Sequence, residues 1–413
     1  MSLSALSPQT WCFDLAWIPQ NAYLVGGAVR DAILKREVEY LDLDFVLPED
    51  AVQVARKIAS HYKAGFVLLD RDRQIARVVF KQATVDFAQQ QGETLVDDLY
   101  RRDFTINAIA YSPHTQEFID PLNGCIDLQQ RIIRMVSPAN LQDDPLRLLR
   151  AYRQAAQLWF EIEAETQTAI CQLAPLLSNI AAERVRVELG YLLNSSRGSK
   201  WLINAWQDGL LGIWFANIER SQLAKLPLID SSAATLNQLP LSQPLSDTIK
   251  TTWLGIAKLA CLVTNSVELA EIELQQLTYS RAEIRAVTTV LKLLPQLQAT
   301  AGALSLKEQY LLFGQAGVVF PALAVLAAAN GMSKATLTPL IDRYLNPTDP
   351  VAHLRLLVNG KDLMQALQIA PSPMVGELLN EIALAQIEGK ISTSSQAIEL
   401  AANLLKSAGT TNP

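Results

Sequence analysis

The chain has 413 residues, 50% of them hydrophobic and 18% charged, which excludes a disordered protein and allows two or three domains. Its four cysteines form no Cys-x-x-Cys pair, which argues against a zinc site or a disulfide framework. No signal sequence and no membrane-spanning apolar run are predicted, so we expect a cytoplasmic protein. The net charge of -6 argues weakly against a nucleic-acid partner unless basic residues cluster locally.

Residues 1–137 are predicted to mix strands and helices. Segments with β-branched and apolar content predict strands at 23–25, 40–47, 64–69, 75–80 and 83–88. Helices are predicted at 28–35 and 50–62. This mixture indicates a small α/β head.

From residue 139 onward, Leu and Ala recur at three- and four-residue spacings, which is typical of helices. The helices are predicted at 146–158, 165–177, 181–194, 250–263, 281–294 and 318–329. The Ser- and Pro-rich segment 229–248 is predicted as a hinge or linker, and 346–350 as a second break. The fold class is therefore α+β, with an α/β head followed by an all-α body.

Asp42 and Asp44 are two apart in a predicted strand and therefore point to the same face, roughly 7 Å apart. Two adjacent carboxylates repel each other unless a cation joins them, and oxygen ligands of this kind suit Mg²⁺. Gly26 and Gly27 precede them as a predicted tight turn that opens a helix, where backbone N–H groups can hold a triphosphate. The simpler alternative is a pair of carboxylates on a solvated strand face.

A second polar cluster contains Arg101, Arg102, Asp103 and Asn107. The guanidinium groups match phosphate oxygens in geometry, and Asp103 and Asn107 are spaced to reach one ligand from a helix face. The alternative is a capped, salt-bridged helix start.

A third cluster begins the helix predicted at 146–158. Asp144 and Arg147 are three apart, so an acceptor and a donor lie side by side, as the Watson–Crick edge of a base requires. Arg150 and Arg153 continue the basic stripe. An Asp–Arg pair that stabilises the helix start is compatible with the same spacing.

Taken in order, these clusters resemble the class II tRNA nucleotidyltransferases, the family of CCA-adding enzymes and bacterial poly(A) polymerases. The matching stretches run in register over residues 22–195, and the tail near Gly360 is similar to the family's tRNA-contacting domain. The resemblance implies a polymerase-β-like nucleotidyltransferase head at 1–137 and a helical neck with a base-reading helix at 138–228. It further implies a helical body at 229–345 and a tRNA-binding tail at 346–413.

The resemblance also implies residue roles. Asp42 and Asp44 would hold Mg²⁺, with Asp86 as a further catalytic carboxylate. Asp144 and Arg147 would read the incoming base, and Arg150 and Arg153 would support the triphosphate or orient Asp144. The remaining nucleotide-binding residues implied are Gly26, Gly27, Arg30, Arg101, Arg102, Asp103 and Asn107.

The segment between Asp86 and Asp98 is shorter than in relatives that add all three nucleotides, where a longer loop helps the site accept ATP. We therefore predict that the enzyme adds only C-C to the tRNA 3′ end from CTP, and that a separate A-adding enzyme completes it. The alternatives are full CCA addition from CTP and ATP, a poly(A) polymerase, and an inactive RNA-binding relic.

Two further classes are disfavoured. Gly26-Gly27 lacks the Gly-x-Gly-x-x-Gly spacing of dinucleotide-binding oxidoreductases. None of His61, His114 and His353 adjoins an Asp, which argues against a fused metal phosphohydrolase domain.

Overall fold

The computed structural model describes residues 4–299 and 304–409. The chain divides into two compact units. The first contains Met1–Leu192 with Trp201–Ile213, and the second contains Leu193–Lys200 with Trp214–Pro413. The first unit is mixed α/β and the second is helical, so the predicted fold class is confirmed. The finer division into four domains stays a prediction.

A seven-stranded sheet forms the centre of the first unit. Its strands are β1 Tyr23–Val25, β2 Leu41–Leu47, β3 Gly65–Asp70, β4 Ile75–Val79, β5 Ala83–Gln89, β6 Ala110–Tyr111 and β7 Phe118–Ile119. The order is β3-β4-β5-β2-β1-β6-β7, and β2 and β5 are the parallel pair in this otherwise antiparallel sheet. The short strands β8 Ile132–Ile133 and β9 Glu161–Ile162 pair separately.

Nine α-helices complete the first unit, the last two of them shared with the second. They are α1 Gly27–Ile33, α2 Ala51–Tyr62, α3 Leu95–Tyr100, α4 Gly124–Gln130, α5 Pro138–Asp143, α6 Leu146–Leu158, α7 Ala164–Leu173, α8 Ala182–Asn194 and α9 Gly198–Gln207, all within the described residues. Local chemistry sets several helix ends. Thr94 and Asp97 form a capping box at the start of α3, and the Ser137 side chain caps α5.

The alternation in β2 separates the core from the surface. Leu41, Leu43 and Phe45 are buried, whereas Asp42 is exposed and Asp44 is partly exposed on the other face. Phe45 stacks on Phe87 of β5 with ring centroids 5.5 Å apart. The prediction that the two carboxylates share one face is confirmed.

The second unit is built from the helices α10 Arg220–Leu223, α11 Leu226–Thr235, α12 Trp253–Leu262, α13 Val267–Gln276, α14 Arg281–Ala299, α15 Leu306–Ala316, α16 Phe320–Ala329, α17 Lys334–Leu345, α18 Gly360–Leu367, α19 Pro373–Ile387 and α20 Ser394–Gly409. Every residue of α12 is buried, and α16 is buried except at one position. Both are apolar on all sides, as expected for the central helices of a bundle.

The linker predicted at 229–248 is wrong in its first part, because α11 covers residues up to Thr235. Pro227 lies in the first turn of that helix, where proline is tolerated, and Ile229 is fully buried. Tertiary burial therefore outweighs the weak helix propensity of the Ser residues. Most of 236–248 consists of turns and bends.

We predicted that no apolar run is long enough to cross a membrane. This prediction is also wrong, because one run meets the length and composition criteria. Leu306–Ala329 meets both criteria with a mean hydropathy of 2.0, and the bent pair α12–α13 meets them jointly. The structure breaks the first run into α15, a 3₁₀ turn and α16, and 67% of its apolar window is buried within the protein. A buried core helix passes the same test, so the run is accounted for by packing.

Candidate active site

Carboxylates form a row on one face of the sheet. Asp44 of β2 lies directly opposite Asp86 of β5, and Asp86 lies opposite Arg77 of β4. Arg77 donates to both oxygens of Asp86, at 2.7 and 2.8 Å. The hydroxyl of Thr84 donates to Asp42 Oδ1 at 2.6 Å. Asp86, predicted as a third catalytic carboxylate, is thus engaged by a bidentate arginine.

Burial raises the pKa of Asp44 to about 7, and repulsion from Asp42 and Asp86 adds to the increase. The positive charges of Arg102 and Arg77 oppose the increase but do not cancel it. At Asp44, burial and carboxylate repulsion thus outweigh the two nearby arginines. A cation beside Asp42 and Asp44 would relieve the repulsion between their carboxylates, so the residues present fit a metal ion.

The turn between β1 and α1 approaches these carboxylates closely. Gly26 has a φ of +74°, and a Cβ on it would lie 3.3 Å from Asp44 Oδ2 and 3.6 Å from Arg102 Nη1. Only glycine allows both this backbone conformation and this approach. The predicted Gly26-Gly27 turn thus opens α1 beside the carboxylates.

A buried polar network joins α1 to α6. Arg30 Nη1 donates to Asn107 Oδ1 at 2.8 Å and to Gln154 Oε1 at 3.3 Å. Asn107 Nδ2 donates to Asp103 Oδ1 at 2.9 Å and to Gln154 Oε1 at 3.0 Å. Gln154 was missed by the sequence analysis, although it lies four residues after Arg150 and so shares its helix face.

Asp103 is buried, and burial alone would raise its pKa. The cation of Arg150, 3.5 Å away, and the hydrogen bond from Asn107 outweigh burial and hold the pKa of Asp103 below its usual value. Asp103 is therefore a fixed anion that orients Arg150.

The predicted base-reading pair is arranged differently from the expectation. Asp144 does not lie on the helix with Arg147, because α6 begins at Leu146 and the backbone of Asp144 is extended. Arg184 Nη2 donates to Asp144 Oδ2 at 3.0 Å. Arg147 Nη1 donates to the backbone carbonyls of Arg101 and Asn140, at 2.9 and 3.0 Å. Both side chains are positioned by contacts that the local sequence does not contain.

The last predicted arginine of α6 contacts α8. Arg153 Nε lies 2.6 Å from Glu188 Oε2, and its guanidinium lies over the ring of Tyr191, 5.3 Å from the centroid. The helix α8 therefore supports α6 through Glu188 and holds Asp144, just before α6, through Arg184.

Two neighbouring cavities in the first unit contain most of the predicted site. The larger, about 830 Å³, is lined among others by Gly26, Gly27, Arg30, Asp42, Asp44, Arg102, Asp103, Asn107, Arg147, Arg150 and Arg153. The smaller, about 490 Å³, is lined by Arg101 and Asp144 and shares Arg102 and Arg147 with the larger. Asp86 lines neither of the two. The large cavity has the size and charge of a nucleoside triphosphate site.

Family models match three parts of the chain. They describe a poly A polymerase head domain at residues 22–134, a probable RNA- and SrmB-binding site of polymerase A at 159–221, and a putative tRNA nucleotidyltransferase domain 2 at 248–402. A CC-adding tRNA nucleotidyltransferase of Synechocystis sp. is 49% identical over 400 residues, which cover 96% of each chain. The chain belongs to the tRNA nucleotidyltransferase family.

A second relative, a CC-adding tRNA nucleotidyltransferase of Geobacter sulfurreducens, is 33% identical over 91% of this chain and 90% of its own. A solved structure of a CCA-adding enzyme with ATP superposes with a TM-score of 0.73 at 22% identity, covering 93% of this chain and 91% of that one. At that identity the superposition shows a shared fold. The resemblance noted in the sequence is confirmed. The chain is therefore an enzyme, a tRNA nucleotidyltransferase.

Proposed function

We propose that this enzyme adds two cytidylates from CTP to the 3′ end of tRNA and leaves the final adenylate to a separate A-adding enzyme. The observation that carries the proposal is the connection from β5 to α3, which is only the five residues Gln90–Thr94. In the family a longer segment here helps the site accept ATP. The names of the two relatives support the same specificity.

The connection is fixed by hydrogen bonds at the end that follows β5. The N–H of Gln90 donates to the carbonyl of Leu47 at 2.7 Å, and the N–H of Gln91 donates to Asp98 Oδ1 at 3.0 Å. The other oxygen of Asp98 accepts from Arg102 Nη2 at 2.9 Å. Because Arg102 lines both cavities, the connection cannot shift without disturbing a side chain of the nucleotide site.

The nucleotide would occupy the two cavities together. Its triphosphate would lie in the larger one against the Gly26-Gly27 turn, with Arg30, Arg102 and Arg150 as positive charges. Its base would meet Asp144 and Arg147 in the smaller one, so that protein side chains replace a template. The buried network of Asp103 keeps Arg30 and Arg150 aligned before substrate arrives, and Asp98 holds Arg102.

Mg²⁺ on Asp42 and Asp44 would activate the tRNA 3′-hydroxyl and neutralise the leaving pyrophosphate. The protein would supply these two carboxylates and the substrate phosphates would complete the coordination, as is usual for Mg²⁺. Asp86 then acts as a positioning residue that holds Arg77.

In the reaction, the 3′-oxygen of the tRNA forms a bond to the α-phosphorus of CTP and the bond to the β-phosphate breaks, releasing pyrophosphate. The arginines of the cavity hold the triphosphate in line with the attacking oxygen. The helical second unit would bind the tRNA, mainly through backbone phosphates and shape. This role in tRNA maturation supports a cytoplasmic location.

The test is incubation of the purified protein and Mg²⁺ with a tRNA transcript that ends at the discriminator base, first with CTP and then with CTP plus ATP. Products are separated at single-nucleotide resolution. We expect growth by two nucleotides in both mixtures, and near-total loss of growth with Asp42→Ala or Asp44→Ala. Growth by three with ATP present would make it a full CCA-adding enzyme, and a long A tail would indicate a poly(A) polymerase. No growth at all would contradict the catalytic assignment.

A further inference from the structure

The sheet face that carries the carboxylates continues beyond them toward the free edge of the sheet. Arg77, which holds Asp86, lies opposite Val67 of the edge strand β3. Two residues away along the same strands, Thr84 of β5 lies opposite Val79 of β4, and the hydroxyl of Thr84 donates to Asp42. Directly paired residues point to the same face. We call the surface formed by Val67, Arg77, Val79, Thr84 and Asp86 the lateral face.

The lateral face is exposed and partly apolar. Val67 is 45% exposed and Val79 is 39% exposed, whereas α2 packs against the opposite face of the same three strands. Leu68, the next residue of β3, is similarly exposed at 43% but belongs to that opposite face. The two exposed valines lie on the same sheet face as the row of carboxylates, where a bound substrate strand would contact them.

Arg77 supplies a positive charge at the centre of the lateral face. Its Nε and Nη2 are engaged by Asp86, which fixes the plane of the guanidinium. Within the described residues its Nη1 has no hydrogen-bond partner, and the side chain is 38% exposed. A fixed guanidinium with one remaining donor suits a phosphate oxygen.

We propose that the lateral face binds the single-stranded 3′-terminal nucleotides of the tRNA acceptor strand. This inference rests on the proposed function. The large cavity, which would hold the triphosphate of CTP, lies on the β1 side of Asp42 and Asp44, since Gly26, Gly27 and Arg30 line it. The smaller cavity, which would hold the base, touches β4 and β5 at Ile75, Ala88 and Gln89, none of which belongs to the lateral face. The lateral face lies on the β5 side of the same carboxylates. The attacking 3′-hydroxyl must reach Asp42 and Asp44 from the side that CTP leaves open.

The chemistry of the lateral face fits such a strand. Arg77 would donate to the last phosphodiester, and Val67 and Val79 would contact ribose and base faces. Apolar contact with a base face does not depend strongly on which base it is, so the same surface would accept the discriminator base and then each added C. One lateral face would therefore serve two successive additions.

Charge substitution on two neighbouring residues of β3 tests the inference. Val67→Asp places a negative charge on the lateral face, and Leu68→Asp places the same charge at a similar exposure on the opposite face. At low salt and saturating CTP, we expect Val67→Asp to lower kcat/KM for the tRNA transcript about three- to tenfold, with the KM for CTP unchanged. Leu68→Asp should stay within about twofold of the wild type, because its face does not contact the strand.

Reversing the charge sharpens the test. Val67→Lys should restore or increase kcat/KM for tRNA relative to Val67→Asp, and the difference should shrink as the salt concentration rises. Equal effects of Val67→Asp and Leu68→Asp, or a change confined to the KM for CTP, would overturn the inference. If the wild type itself adds no C to the transcript, the proposed function fails first, so the two failures are distinguished.

Discussion

Asp44 shows how a single carboxylate can be suited to a bound cation and yet destabilise the folded protein when no cation is bound. Burial and repulsion from Asp42 and Asp86 raise the pKa of its carboxyl to about 7, and the Gly26 turn lies close beside it. The folded protein therefore holds a proton on Asp44 more tightly than the unfolded chain does. Ionising Asp44 costs folding free energy as the pH rises from its unfolded pKa of 3.8 toward 7.

We predict that Asp44→Asn stabilises the metal-free protein at pH 8, by about 2 kcal/mol, and has a much smaller effect at pH 4. Thermal melts in EDTA at both pH values measure this. Added Mg²⁺ should then raise the Tm of the wild type but not of Asp44→Asn. Asp72→Asn, at an exposed position of the β3–β4 turn, is the control. An equal effect of Asp44→Asn at both pH values would contradict the proton assignment.

Arg147 illustrates a side chain whose position depends on backbone carbonyls. Two of these, from Arg101 and Asn140, hold its Nη1. Burial lowers the pKa of Arg147, but Asp103 and Asp144 counteract this, so the cation is retained.

Arg147→Ala should reduce the preference for CTP over UTP about tenfold, since one specific hydrogen bond to a base is worth about 1.4 kcal/mol. Single-nucleotide incorporation rates with each triphosphate measure it, and an unchanged preference would contradict base reading by Arg147.

At the scale of elements, the backbone conformation of the short connection between β5 and α3 depends on one glycine. Gly92 has a φ of +98°, and a Cβ on it would lie 2.5 Å from Asp97 Cβ. Asp97 is itself fixed, because its carboxylate accepts from Thr94 in the capping box of α3. The connection, the helix cap and Arg102 thus form one mechanically linked group.

Gly92→Ala should therefore destabilise the protein by about 1–3 kcal/mol, through backbone strain and the clash with Asp97. Urea unfolding provides the measurement. Gly190→Ala is the matched control, because that glycine lies in α8 and a Cβ on it meets nothing within 4 Å. The control should be neutral or stabilising by up to about 1 kcal/mol. Equal behaviour of the two variants would show that the connection is not held by this glycine.

At the scale of the whole molecule, Lys258 is a cation buried in the interior of the helical unit. Lys258 of α12 is fully buried, and its Nζ lies 2.6 Å from Asp230 Oδ1 and donates to the carbonyl of Ser195 at 2.6 Å. The pair joins α11, α12 and the segment after α8. A buried charge without its partner lowers the free energy of unfolding strongly, whereas the intact pair changes it little.

Asp230→Ala should destabilise the protein by about 3–5 kcal/mol, because Lys258 would remain buried with only a carbonyl partner. Thermal or urea unfolding followed by far-UV CD measures the loss. Asp247→Ala, at an exposed position, should change stability by no more than about 0.5 kcal/mol. A double variant with Lys258→Met should recover much of the loss. Failure of that recovery would contradict the buried charge as the cause.

The sequence by itself determined the head-and-body layout, the strand with Asp42 and Asp44, the Gly26-Gly27 turn and the family. These features depend on alternation, turn chemistry and motifs within a few residues of one another, which the sequence displays directly. The short strands β6 to β9 escaped prediction because two residues carry no readable alternation.

Only the tertiary structure decided how the site residues are engaged. The bond from Arg30 to Gln154 joins residues 124 apart, and that from Arg184 to Asp144 joins residues 40 apart. Asp86 was predicted to be a catalytic carboxylate, yet its partner Arg77 is determined by strand pairing. Such contacts and the pKa of Asp44 depend on burial and charge brought together by folding, which no local pattern records.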